Sequence, residues 1–74
     1  MNIQFNHKGE TITGKVLWGD AEKNEIIVFP DRNLGELGWS HLFQKKENKW
    51  TSESFLKEKY PATYLDIVSQ LSSF

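Results

Sequence analysis

Two histidines, His7 and His41, are the side chains whose ordinary pKa lies nearest neutrality, so acid–base or metal chemistry would start with them. A zinc site needs three or four ligands at workable spacing. The chain contains no cysteine and no His-x-His or His-x3-His pair. His7 falls in an expected surface turn, and His41 lies between Trp39 and Phe43 on an expected strand face. No metal site follows from that arrangement. The serines Ser52, Ser54, Ser69, Ser72 and Ser73 offer hydroxyls, but no Gly-x-Ser-x-Gly elbow is present to expose one as a nucleophile. Gly35 and Gly38 build neither a phosphate-cradling loop nor a dinucleotide fingerprint. The expectation is a non-enzymatic chain that needs no cofactor.

A second grouping is richer. Trp39, Phe43, Trp50 and Phe55 are interleaved with Lys45, Lys46, Lys49 and Lys57. Exposed, such aromatics can anchor a protein partner, and the expected contact region is Trp39, Phe43 and Trp50, with Arg32 and the loop over 31–38. The alternative is single-stranded nucleic acid, with the same rings stacking on bases and Lys45, Lys46 and Lys49 facing phosphates. Arg32 is the one arginine, so bidentate phosphate or guanine recognition is poorly supplied. The competing structural use is simple, because a very small core also needs large rings.

These residues must be positioned by a short chain. Seventy-four residues with 38% apolar, 14% aromatic and 26% charged side chains suit one globular core, read as a single domain over 1–74. Without cysteine no disulfide can staple it, which fits a reducing compartment. The first ten residues lack the basic-then-apolar pattern of a signal peptide, and the expected location is cytoplasmic. Net charge is −1, with five lysines against three glutamates over residues 45–59. That local excess falls short of the basic footprint of dedicated DNA binders.

Through residue 51 the pattern is that of strands. Ile3 and Phe5 flank polar Gln4, and a turn is expected at residues 6–9. Over residues 10–18, Ile12, Gly14, Val16 and Trp18 share one face, and the glycine suits a sharp bend, a bulge or a close backbone crossing. Residues 25–29 are apolar on both faces, so this third strand should be central and covered on each side. Pro30 should end it. A fourth strand is expected over 39–44 and a short fifth over 49–51.

Helical signals then take over. Ser52 or Thr51 could cap a short helix over 52–59, broken before Pro61. Over 61–73, Tyr64, Ile67, Val68 and Leu71 recur at helical spacing, with Phe74 just beyond. That stripe is expected to cover the second face of the third strand. The fold expected is mainly β: a small SH3-like or partly open five-stranded antiparallel barrel closed by a C-terminal amphipathic helix. The stretch Lys8-Gly9-Glu10-Thr11-Ile12-Thr13-Gly14-Lys15-Val16 resembles the early strands of SH3-like and Tudor-like barrels. The resemblance implies barrel geometry and no functional residue. The function expected is that of a small binding or regulatory module, with another protein or a second copy as partner and no membrane association. Blocking a larger enzyme is one form this could take.

Overall fold

The computed structural model describes residues 1–20, 22, 24–31 and 40–72. Among them run strands β1 (Asn2–His7), β2 (Glu10–Asp20), β3 (Glu25–Pro30), β4 (His41–Lys46) and β5 (Lys49–Thr51). Helices α1 (Leu56–Lys59) and α2 (Pro61–Leu71) follow. The strands form one antiparallel sheet in sequence order, curled into a half-barrel.

Two tight turns carry the meander. Lys8 and Gly9 take φ values of 52° and 82°, and Glu47 and Asn48 take 54° and 66°. Paired positive φ angles give the two-residue turn whose twist matches the flanking strands. Gly14 does a different job. It sits opposite both Ile3 and Pro30, at the point where β2 passes from its ladder with β1 to its ladder with β3. A Cβ there would lie 3.0 Å from Val28 Cγ1 and 3.2 Å from Phe5 Cε1, so the glycine makes room for core side chains of the neighbouring strands rather than for a crossing backbone. A register shift between Trp18 and Asp20 bends β2 a second time.

The concave side of the half-barrel is the core. Ile3, Phe5, Ile12, Val16, Ile26, Val28, Phe43 and Trp50 point into it and meet Leu56, Tyr64, Ile67 and Leu71 from the helices. Pro61 opens α2, where its missing N–H costs nothing. The helix packs against β1 and β5 and spans the gap between the two outer strands of the sheet.

Two expectations need correcting, and a third lies partly outside the described residues. The C-terminal stripe does not cover the second face of β3; it joins the same core as Ile26 and Val28. The curl brings the edges of the sheet towards each other, and a helix on the concave side buries its stripe while shielding those edges. The short helix begins at Leu56 rather than Ser52. Ser52 is diverted because its hydroxyl donates to the Leu42 carbonyl at 2.6 Å and accepts from the Ser54 amide at 3.1 Å. Trp39, expected to open the fourth strand, lies outside the described residues, and β4 runs from His41 to Lys46. Among the described residues, no helix is long and apolar enough to cross a membrane.

Candidate docking surface

Alternation along β4 and β5 decides where the expected contact residues go. Phe43 is fully buried and stacks on Tyr64, with ring centroids 6.0 Å apart. Trp50 is 5% exposed, beneath the Lys45 ammonium at 5.7 Å and beside Trp18 at 6.4 Å. Both are core residues and offer no face to a partner. The physical reason is the register: Phe43 lies opposite Ile26, whose side chain already points into the core. Trp39 and Arg32 lie outside the described residues. Of the lysines, Lys46 and Lys49 are exposed, whereas Lys45 is half-buried.

The histidines are structural joints. The turn after β1 is Lys8–Gly9, so His7 is the last strand residue, buried rather than on the surface. Its Nδ1 lies 2.9 Å from Thr63 Oγ1, and its ring meets the Tyr60 ring edge-on at 5.0 Å, joining β1 to α2. His41 Nδ1 lies 3.0 Å from Ser54 Oγ, joining β4 to the segment before α1. Ser54 and His41 are within nucleophile–base distance, but the same hydroxyl accepts from the amide of Leu56, the first residue of α1, at 3.2 Å. No group of three metal-ligating side chains occurs among the described residues.

The convex face of the sheet carries the feature that sequence reading missed. Leu17 lies directly opposite Ile27, and Ile27 directly opposite Leu42, giving an apolar row across β2, β3 and β4. Leu17 is 44% exposed and Leu42 is 47% exposed; Ile27 is half-buried between them. Phe29, half-buried and opposite Lys15, extends the row on one side. Among the described residues, no helix packs on this face: α1 and α2 both join the concave core.

No family model matches this chain, and no curated protein or solved structure is significantly similar to it. What the surface can do therefore rests on its own geometry.

At Leu42 the row runs into an open groove of about 710 Å³. Leu42, Gln44 and Lys46 form one wall from the convex side of β4, and Thr51, Phe55 and Lys57 line the other. Phe55 is 42% exposed, with its ring held edge-on to His41 at 5.9 Å and under the Lys59 ammonium at 6.0 Å. The Ser52 and Ser54 hydrogen bonds fix this wall against β4.

One signal for the row was present in the sequence, since β3 is apolar on both faces. Leu17 and Leu42 gave none of their own. Each becomes significant only through the strand register that sets it beside Ile27.

Proposed function

We propose that this chain is a non-enzymatic protein-binding module whose contact surface is the convex row Leu17–Ile27–Leu42. The supporting observation is that two nearly half-exposed leucines stand in direct cross-strand register with a third aliphatic residue between them. Scattered apolar side chains on a surface need no explanation, but a contiguous set on a sheet face is the usual mark of an interaction site. The polar end of the same face, with Gln4 and Thr13 paired across β1 and β2, supplies the hydrophilic rim such sites carry.

Binding of single-stranded nucleic acid is less well supported, because Phe43 and Trp50 would have to leave the core to stack on bases. Catalysis is also less well supported, since the Ser54 hydroxyl is engaged in holding α1 and β4 together.

The test is affinity capture with the wild-type chain, Leu17→Lys, Leu42→Lys and a control on the exposed side of α2, Ser69→Lys. A protein retained by wild type and control but lost from both leucine variants is the expected outcome. The same proteins captured by all four would overturn the assignment. A concentration-dependent dimer broken by the same two leucine variants would make a second copy the partner.

A further inference from the structure

The groove beyond Leu42 differs in charge from the row that leads into it. Lys46 and Lys57 line it, and Glu53 is the acidic side chain at its wall. Lys49 lies just outside this lining, directly opposite Lys46 in the β4–β5 register, and adds a cation at the groove's edge. The chain as a whole carries −1, so this cationic end is not a by-product of general composition. Two like charges directly opposite across a hairpin weaken it, so the pair has a structural cost that an anionic partner would relieve. Each wall offers one apolar side chain, Leu42 on one and Phe55 on the other, both more than two-fifths exposed.

Resting on the protein-binding function proposed above, we infer that this groove receives an extended acidic peptide segment of a partner protein, with a bulky apolar side chain seated between Leu42 and Phe55. Carboxylates on either side of that side chain meet Lys46, Lys49 and Lys57. The groove volume lies within the range of sites that enclose small ligands, which suits one apolar side chain and its flanking backbone. The wall is set before binding, because Ser52 Oγ is tied to the Leu42 carbonyl and Ser54 Oγ to His41. The groove therefore adds little ordering cost of its own on association. Charge complementarity selects the acidic partner, and the facing Leu42 and Phe55 side chains distinguish a peptide from a bare polyanion.

The experiment is fluorescence anisotropy on the full chain with four labelled probes, at low and at physiological salt. The first is a peptide of about ten residues alternating glutamate with leucine, a length that suits an extended segment. The second replaces its glutamates by lysine, the third replaces its leucines by serine, and the fourth is an oligothymidylate of similar length. Saturable binding of the first alone is expected. Lys46→Glu with Lys57→Glu should weaken it about tenfold or more, which is about 1.4 kcal/mol. Leu42→Thr should weaken it similarly, and Leu17→Thr should leave it within about twofold. The lysine variants are substitutions at exposed positions, so they keep the test valid even if Leu42→Thr proves unstable.

Equal binding of the lysine or serine peptide overturns the inference, as does tighter binding of the oligothymidylate. No saturation of the first probe by about 1 mM also overturns it. Failure of the groove can be told apart from failure of the row. A partner lost on Leu17→Lys but kept by the double lysine variant leaves the module standing and removes the groove. Peptide binding that depends on the lysines, with capture indifferent to Leu17, supports the groove and removes the row.

Discussion

Gly14 shows how a single atom can be excluded by packing. The Cβ it lacks would fall 3.0 Å from Val28 Cγ1, and Val28 is itself fully buried. An alanine gains a little from a less flexible unfolded chain, but here the steric term dominates. Gly14→Ala should therefore cost about 1–3 kcal/mol, read as a lower urea midpoint with an unchanged slope. An unchanged midpoint would mean that β1 and β3 shift apart freely at Gly14. Ser54 is a second test at this scale, since its hydroxyl serves both His41 and the Leu56 amide. Ser54→Ala should cost about 1–2 kcal/mol by the same measurement, whereas Ser69→Ala on the exposed side of α2 should cost under about 0.5 kcal/mol. Residue type alone did not reveal these roles. At Gly14 the glycine on a buried strand face marked a special position, but did not show that side chains of two neighbouring strands fill its space. The joint at Ser54 was not legible, because its partner His41 comes from another strand and only the fold brings the two together.

At the scale of elements, periodicity identified faces better than it identified what covers them. The stripe of α2 and the alternation of β2 were both readable, and both describe the sides that are buried, except that Trp18, expected beside Ile12 and Val16, is 50% exposed. Which side of β3 the helix takes depends on the curl of the whole sheet, and no local pattern records that curl. The same gap misplaced Phe43 and Trp50, since alternation groups them without saying whether their shared face is concave or convex. The β4–β5 hairpin gives this a measurable form. Lys46 and Lys49 face each other across two residues, Glu47 and Asn48, that both hold positive φ. Lys49→Glu replaces a repulsion by an attraction and should stabilise the chain by about 0.5 kcal/mol, an effect that fades with added salt. The same substitution should weaken the glutamate–leucine peptide. Stabilisation accompanied by unchanged peptide binding would show that the like-charge pair is not part of the site.

For the molecule as a whole, the concave face of the sheet holds the core and the convex face the proposed contact row, and substitution can separate the two. A chain of 74 residues has one small core, with a net stability of about a few kcal/mol. Ile67 is 1% exposed and links α2 to the concave face, so its loss removes packing that nothing else replaces. Ile67→Ala should cost about 2–5 kcal/mol, comparable to the entire margin, and leave a large unfolded fraction at room temperature. Leu17 and Leu42 are aliphatic residues of similar size on the opposite face, yet half of each already meets water. Threonine keeps the β preference there and has little packing to lose, so Leu17→Thr and Leu42→Thr should each change stability by no more than about 0.5 kcal/mol. Circular-dichroism melts on the three variants give the comparison directly. If the leucine variants melt like wild type while losing their partner, the convex row is held for binding. If either leucine variant collapses as Ile67→Ala does, the row is a second structural layer, and the contact surface has to be sought in the groove alone.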